Sequence, residues 1–325
     1  MKEKILKCLR EAEDYVSGQE LCQMFDVSRT AIWKVMNQLK EEGYVIDAVK
    51  NKGYRLVQTP DLVTAEEVES LLETSWAARP VVYEEEQAST NQTAKMLAEQ
   101  GASHGTLVVA ERQVSGRGRR GRPWHSPKGS GIWMSILLRP QIHPMSASML
   151  TLVAAMAVYD AISSRVEGCA IKWPNDIVID GRKVCGILTE MSSEQDNIHY
   201  VVIGIGINVN TDDFPENIAS VAASMHVITG AYYKRAEIIA DTWKAFEKYY
   251  DLFVQTENLA LMVDAYNQRL VNMDRRVMIE ERGHRYEGTA RGIDAEGALL
   301  VERDDGTTTS VISGEVSVRG VLGYV

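Results

Sequence analysis

Four arginines, three glycines, two prolines and one tryptophan lie within the fourteen residues 115–128 of a chain whose formal net charge is −10. The glycines at positions 116, 118 and 121 leave the backbone free to approach a ligand closely. Guanidinium groups bind phosphate and carboxylate oxygens in pairs. Because clustered arginines repel one another unless an anion neutralises them, residues 115–128, here named the basic loop, are predicted to bind an anion.

Two other interpretations of the basic loop are open. The letters from Gly116 to Gly121 satisfy the dinucleotide fingerprint G-x-G-x-x-G, but that fingerprint requires a helix to begin at the motif. Arg122-Pro123-Trp124 follows instead, which disfavours a helix and therefore a dinucleotide site. A solvated basic surface loop is the second alternative. The glycine spacing together with the aromatic ring of Trp124 favours a functional site.

Three further segments carry residues suited to the same chemistry. The motif K-W-P-N-D occupies residues 172–176, and a hairpin is predicted about Asp180-Gly181, with Lys183 just beyond the turn. The apolar strand predicted over residues 201–210 is interrupted by glycines, which often mark close approach of a ligand or another backbone. A lysine in a hairpin strand, such as Lys183, usually extends to solvent at the edge of a sheet. Lys183 is therefore a candidate site residue only if it faces the cleft of the basic loop.

Composition excludes several classes of protein. A length of 325 residues indicates two or three domains. The chain has no apolar run of 18 residues and a charged N-terminus, so we expect a cytoplasmic protein with no membrane association. The four cysteines and six histidines show no metal-ligand spacing, so no fixed metal site is predicted. The acidic total restricts any DNA contact to a local basic patch.

Residues 1–60 are predicted to form a winged helix-turn-helix that binds DNA. Ser17 and Glu20 form a capping box, Ser28 caps a third helix that ends near Gly43, and a hairpin wing turns at residues 51–53. A small helical protein-interaction module is the alternative, but the basic third helix and basic wing favour DNA. The predicted DNA-binding residues are Ser28, Arg29, Thr30, Trp33, Lys34 and Asn37 of the third helix, with Lys50 and Lys52 of the wing.

Two more domains are predicted to follow a linker around Pro60. Residues 65–270 show the mixture of buried strands and amphipathic helices typical of an α/β domain, including a long apolar helix over residues 147–164. From residue 271 to residue 325 short alternating strands are separated by turn clusters at 281–283, 294–297 and 304–306, which indicates a small barrel or sandwich. We expect this last part to support or dock rather than to supply site residues.

Four motifs in one order carry a family resemblance: S-G-R-G-R-R-G-R-P-W, K-W-P-N-D, G-R-K-V-C-G-I-L and G-I-G-I-N-V-N. In these motifs the chain resembles the biotin–protein ligases, and its N-terminal helix-turn-helix resembles the bifunctional type that is also a biotin-operon repressor. The resemblance implies an α/β (α+β) fold with a winged helix-turn-helix, a central mixed-sheet ligase domain of the biotin/lipoate ligase type and a C-terminal SH3-like β-barrel. Lipoate ligases share the central fold but lack the Arg-Gly repeat.

The resemblance also implies a reaction and its partners. Biotin and Mg-bound ATP would give biotinyl-AMP, and a lysine of a biotin carboxyl-carrier domain would then receive the biotinyl group. Biotinyl-AMP would also act as corepressor by promoting a homodimer on operator DNA. The residues fit this reaction independently, because a substrate carboxylate is the nucleophile and the enzyme need only position groups and stabilise charge.

Site residues follow from the resemblance, position by position. Lys183 and Arg119 would be catalytic, Trp124 would cover the adenine, and Asn175 would lie near Mg. Biotin would contact Ser89, Thr90, Asn91, Gln113, Gly116, Arg117, Gly118, Arg119, Lys183, Gly186 and Gly204. ATP and the adenylate would contact Arg119, Arg120, Arg122, Trp124, Lys172, Asn175, Asp176 and Asn208. Gly186, Gly204 and Gly206 are expected to be small because ligand passes close to the backbone.

Two rival functions remain at this point. A pure DNA-binding repressor could sense a small anion without chemistry, although K-W-P-N-D and Lys183 are more phosphate-binding machinery than sensing requires. A ligase for lipoate or another acyl acid is the second rival. Supplying the purified chain with ATP, an acceptor domain and different acids distinguishes a biotin ligase from both of these rivals.

Overall fold

Three helices and a two-stranded hairpin form the N-terminal part of the structure, a computed structural model that describes residues 1–281, 284–312, 316–320 and 324–325. The elements are α1 (Lys2–Glu11), α2 (Gly18–Phe25), α3 (Arg29–Glu41), β1 (Val45–Val49) and β2 (Gly53–Gln58).

Local signals account for this N-terminal arrangement. Ser17 and Glu20 make both hydrogen bonds of the capping box before α2, and the Ser28 hydroxyl accepts from the Ala31 N–H at 3.2 Å to begin α3. After α3, Gly43 takes a φ of 97°, which glycine adopts without strain. The apolar sides of the three helices pack into their own core with the hairpin. The predicted winged helix-turn-helix is confirmed.

A seven-stranded mixed sheet forms the centre of the molecule, in the order β3-β4-β5-β9-β8-β7-β6. Its strands are β3 (Val81–Gln87), β4 (Leu107–Gln113), β5 (Gly131–Leu138), β6 (Cys169–Lys172), β7 (Asp176–Ile179), β8 (Arg182–Glu194) and β9 (Asn197–Asn208). Only β3 and β4 run parallel; the other neighbours are antiparallel. Every residue of β5 is buried, as expected for a continuous apolar strand at the middle of a sheet.

Six helices accompany this sheet: α4 (Ala65–Leu71), α5 (Thr90–Glu99), α6 (Leu150–Ser163), α7 (Met225–Thr229), α8 (Arg235–Thr256) and α9 (Val263–Arg269). The helix predicted from residue 147 begins only at Leu150, because Pro144–Met149 forms a 3-10 helix before it. The helical segment Pro144–Ser163 is long and apolar enough to cross a bilayer, but 72% of an 18-residue stretch within it is buried inside the molecule. The apolar composition of α6 is therefore explained by burial. The short elements β6 and α7 were not predicted.

Five antiparallel strands form the C-terminal sheet, in the order β13-β12-β11-β10-β14. They are β10 (Arg276–Glu281), β11 (His284–Ile293), β12 (Leu299–Glu302), β13 (Thr308–Val311) and β14 (Val316–Gly320). Gly297 and Gly306 take positive φ in the two later predicted turns. In the first predicted turn, at 281–283, residues 282 and 283 lie outside the described residues.

A buried arginine joins the linker after the winged helix-turn-helix to the central sheet. Arg235, only 1% exposed, donates through Nε to Asp61 in the linker at 2.9 Å and through Nη1 to Glu111 on β4 at 2.8 Å. Glu111 also accepts from the backbone N–H of Gly129, immediately after the basic loop, at 3.1 Å. The linker and the end of the basic loop are therefore held by one ion-pair network.

Removing this arginine is expected to destabilise the chain severely. In Arg235→Ala, Glu111 would stay buried without its cation, which costs about 3–5 kcal/mol of unfolding free energy. Urea unfolding of the full chain measures the loss. Arg112→Ala breaks the exposed pair with Glu86 and serves as the control, with an expected change below about 1 kcal/mol. Equal losses in the two variants would contradict the role given to burial.

Candidate active site

A cavity of about 360 Å³ lies at the end of the central sheet beneath the basic loop. The residues predicted for biotin and ATP that line it are Ser89, Thr90, Asn91, Gln113, Arg117, Gly118, Arg119, Arg120, Arg122, Trp124, Lys172, Asn175, Asp176, Lys183, Gly186, Gly204 and Asn208. Gly116 is the exception and is outside the lining. It lies at the base of the loop, where a Cβ would be 2.8 Å from the Ser126 Oγ, so its small size serves packing.

A ladder of hydrogen bonds fixes the uncharged end of the cavity. The Thr90 backbone N–H donates to Gln113 Oε1 at 2.9 Å, and Gln113 Nε2 donates to Ser126 Oγ at 3.0 Å. Ser89 occupies the N-cap position of α5, yet its side chain makes no capping hydrogen bond. The Ser89 side chain therefore lines the cavity instead of capping the helix.

Asn91 is fixed by neighbours on three strands. Its Nδ2 donates to Glu190 Oε2 on β8 at 2.7 Å, and its Oδ1 accepts from the Ser135 hydroxyl on β5 at 2.6 Å. On β9, a Cβ added to Gly204 would lie 2.0 Å from Asn91 Oδ1. The Asn91 side chain therefore lies directly against Gly204 and leaves no room for a larger residue there.

The ring of Trp124 lies on the sheet beside Lys183. A Cβ added to Gly186 would be 2.9 Å from this ring, and one added to Gly206 would be 2.4 Å from its Nε1. These two glycines therefore make room for the indole. The indole Nε1 is buried and has no hydrogen-bond partner among the described residues.

Lys183 faces the cavity and is not simply an edge lysine that extends to solvent. Its Nζ lies 2.5 Å from Asp176 Oδ1 and 5.2 Å from the centre of the Trp124 ring. The hairpin predicted at Asp180-Gly181 produces this arrangement, because both turn residues take positive φ and β8 returns antiparallel to β7.

Arg119 connects the basic loop to the K-W-P-N-D segment. Its Nη1 donates to Asn175 Oδ1 at 2.9 Å, while Asn175 Nδ2 donates to the Ile187 carbonyl at 3.0 Å. Burial lowers the pKa of the Arg119 guanidinium, and the positive charges of Arg120 and Arg122 add to that effect, although Asp176 opposes it. An anion between these side chains would restore the favourable environment of the charge.

Lys172 is the most deeply buried cation of the site, with 4% of its surface exposed. Burial lowers its pKa to about 7, with smaller contributions from the positive charges of Lys183 and Arg319, while Asp176 opposes the shift. The Lys172 Nζ lies 3.2 Å from the centre of the Tyr324 ring. Perturbed lysines of this kind are typical of functional sites.

Two groups of lining residues were not predicted from the sequence. The segment after β9 contributes Phe214, Ile218, Val221 and Ala222, and the C-terminal part contributes Val318, Arg319 and Tyr324. The expectation that the C-terminal part only supports or docks is therefore wrong, because three of its side chains reach the cavity. No motif marks them; their position follows only from the way the C-terminal sheet packs on the central one.

The predicted DNA-binding residues lie at the surface of the winged helix-turn-helix, on α3 and on the hairpin wing. Ser28, Arg29, Thr30, Trp33, Lys34, Lys50 and Lys52 are exposed, and Asn37 is half-buried. Trp33 has 57% of its surface exposed, which is unusual for a large apolar side chain. Arg55 on the wing was not among the predicted residues. Its guanidinium lies 4.8 Å from the centre of the Tyr15 ring and adds a cation to the wing.

The fold and the cationic cavity define a ligase joined to a DNA-binding domain. Residues 83–208 match the biotin/lipoate A/B protein ligase family, residues 2–55 match an HTH domain, and residues 273–319 match the biotin protein ligase C-terminal domain.

The chain is 42% identical over 299 residues to the bifunctional ligase/repressor BirA of Bacillus spizizenii, a match covering 90% of this chain and 91% of that protein. BirA of Escherichia coli is 29% identical, with 97% of this chain and 96% of that protein covered. The structure of the Aquifex aeolicus biotin protein ligase in complex with biotin and ATP matches with a TM-score of 0.65 and 30% identity, covering 74% of this chain and 98% of that one. The chain belongs to the biotin–protein ligase family, in its bifunctional ligase/repressor branch.

Proposed function

We propose that this chain joins biotin to ATP in the cavity, forms biotinyl-AMP, and transfers the biotinyl group to a lysine of a carboxyl-carrier domain. One observation carries the proposal: seven cationic side chains and one carboxylate line the cavity within the described part of the chain. The cations are Arg117, Arg119, Arg120, Arg122, Lys172, Lys183 and Arg319, and the carboxylate is Asp176. Such an excess of positive charge suits a triphosphate and a second anionic substrate.

Each step of the reaction requires charge stabilisation and little else. A biotin carboxylate oxygen attacks the α-phosphorus of ATP, the bond to the leaving oxygen breaks, and pyrophosphate departs. In this reaction Lys183 and Arg119 would neutralise the charge that develops on the phosphorus oxygens. The lysine amine of the acceptor then attacks the acyl carbon, AMP leaves, and the amine proton is released.

The two ends of the cavity suit the two substrates. The hydrogen-bonding end at Ser89, Thr90 and Gln113 fits the ureido group of biotin, with Asn91, Gly118, Gly186 and Gly204 forming its walls. Arg120, Arg122, Lys172 and Asn208 fit the nucleotide. Asn175 offers an oxygen ligand of the kind that the Mg ion brought by ATP prefers. Trp124 could leave the sheet to stack on the adenine ring. Its indole N–H, which has no hydrogen-bond partner among the described residues, would then gain access to an acceptor.

Intact mass spectrometry tests the enzymatic proposal. The purified chain, ATP, Mg and a carboxyl-carrier acceptor are incubated with biotin, with lipoate, or without any acid. We expect the acceptor to gain one biotinyl group only in the biotin reaction that contains ATP. An acceptor modified equally by lipoate would favour the rival acyl ligase, and an unmodified acceptor in every arm would favour the repressor without chemistry.

The regulatory part of the proposal concerns the dimer. Closure of the basic loop on biotinyl-AMP would order a surface for a second copy, and a dimer presents two α3 helices to a two-fold operator. DNA binding would belong to residues 1–60 and catalysis to residues 65–270, with the barrel formed by residues 271–325. The protein would act in the cytoplasm, where biotin, ATP and the acceptor are available.

Ligand-dependent association is the expected result for this regulatory part. Biotinyl-AMP should strengthen dimerisation in sedimentation equilibrium, and operator DNA should tighten biotinyl-AMP binding by the same factor. Lys50→Ala should reduce operator affinity and lower the salt dependence of binding by about one phosphate contact. Equal dimerisation with and without ligand would contradict the proposal, whatever the enzymatic result.

A further inference from the structure

Tyr324, from the C-terminal part of the chain, contacts one carboxylate and one ammonium group of the active site. Its hydroxyl donates a hydrogen bond to Asp176 Oδ2, and its ring lies beneath Lys172, with the ammonium 3.2 Å from the ring centre. Val325 lies beside the turn between β7 and β8, 3.1 Å from where a Cβ on Gly181 would be. The end of the chain thus packs against the hairpin that carries Lys183.

Asp176 divides its two carboxylate oxygens between two partners. Oδ2 accepts from the Tyr324 hydroxyl, and Oδ1 forms an ion pair with the Lys183 Nζ at 2.5 Å while accepting no hydrogen bond from the described residues, so this contact is one of charge. The Asp176 backbone is fixed at the start of β7, where it pairs in register with Gly186 on β8. Rotation of the carboxylate would therefore break both contacts at once, so the phenol of Tyr324 restricts where the Lys183 ammonium lies.

We propose that Tyr324 is a positioning residue for adenylate formation, which acts through Asp176 to hold Lys183 at the reacting phosphate. This inference rests on the role proposed above for Lys183. The hydroxyl performs the positioning, and the ring shields Lys172 from solvent. Tyr324 is not in contact with the reacting atoms in this account, so its loss should slow the chemical step without weakening biotin binding.

The test compares two variants that each lose one phenolic oxygen. Tyr324→Phe keeps the ring and removes the donor to Asp176. Tyr286→Phe is the matched control, since Tyr286 lies in the same C-terminal sheet and its hydroxyl has no hydrogen-bond partner among the described residues. Single-turnover formation of biotinyl-AMP is measured by rapid chemical quench, together with the biotin Kd and the KM for ATP.

We expect Tyr324→Phe to lower the rate constant of adenylate formation about tenfold, which is within the range for a lost hydrogen bond to a charged group. The biotin Kd, the KM for ATP and the transfer of preformed biotinyl-AMP to the acceptor should stay within about twofold of the unmodified chain. Tyr286→Phe should match the unmodified chain in all of these measurements.

A double-mutant cycle identifies the route through Asp176. If Tyr324 acts on Lys183 through that carboxylate, Tyr324→Phe should add less than about a twofold loss in an Asp176→Asn background. A tenfold loss in that background would overturn the inference, as would an unimpaired Tyr324→Phe or an effect confined to the KM for ATP. Failure of the proposed function is a separate result, because the unmodified chain would then form no biotinyl-AMP.

Discussion

Replacement of Lys183 by alanine is expected to lower the rate of biotinyl-AMP formation by about 10²–10³-fold, as when one preorganised donor to a developing oxyanion is lost. The ammonium lies 2.5 Å from Asp176 and faces the cavity, so it is already oriented before substrates bind. Pyrophosphate release with saturating biotin and ATP measures the effect. The transfer of added biotinyl-AMP to the acceptor should be affected much less, because the phosphorus centre no longer reacts in that step.

Lys128→Ala provides the matched control for this experiment. Lys128 ends the basic loop but forms an exposed ion pair with Glu85, so its loss should change the rate by less than about twofold. Arg119→Ala should also slow adenylate formation, since it removes the half-buried guanidinium that donates to Asn175. A change below about fivefold in both Lys183→Ala and Arg119→Ala would show that neither residue stabilises the charge of the reaction.

Local sequence signals predicted the parts of the fold that depend on neighbouring residues. The capping box at Ser17, the cap at Ser28 and the Asp180-Gly181 turn each specify backbone geometry within a few residues, and the structure has all three. Four-residue β6 and five-residue α7 were missed because elements so short hold too few residues to show a period.

The active site was predictable to the extent that its residues lie in motifs. Lys172, Asn175 and Lys183 are close in sequence and converge in the cavity as expected. Tyr324 is 148 residues from its hydrogen-bond partner Asp176, and no local pattern connects two such positions. Arg319 was missed for the same reason. Contacts between parts of the chain that are distant in sequence are thus the main component that the sequence alone did not provide.

The glycines of the cavity show what a strand pattern can predict and what it leaves open. Gly186, Gly204 and Gly206 were expected to be small because a ligand passes near the backbone. The structure places Trp124 against two of them and Asn91 against the third. The pattern correctly indicated close approach, since glycine in a strand does mark it, but the type of neighbour could be known only from the packed side chains.

The pH dependence of ATP use is expected to depend on Lys172. Burial lowers its pKa to about 7, so the ammonium is present below that pH and is lost as the pH rises through it. Since a neutral amine no longer attracts a phosphate, kcat/KM for ATP should fall about tenfold per pH unit on the alkaline side, as expected for loss of one essential proton. Asp176, Lys183, Arg319 and Tyr324 surround the group and do not reverse this direction.

Lys172→Arg separates this effect from every other titration in the reaction. Arginine keeps its charge throughout the range, so the alkaline fall with an apparent pKa near that of Lys172 should disappear even if the overall rate is lower. Tyr324→Ala should move the fall to higher pH, because removing the ring returns solvent to the Lys172 ammonium and favours its charged form. We test this assignment by measuring kcat/KM for ATP from pH 6 to pH 9 at saturating biotin, with coupled detection of pyrophosphate. A fall that persists unchanged in Lys172→Arg would assign it to another group and remove Lys172 from ATP binding.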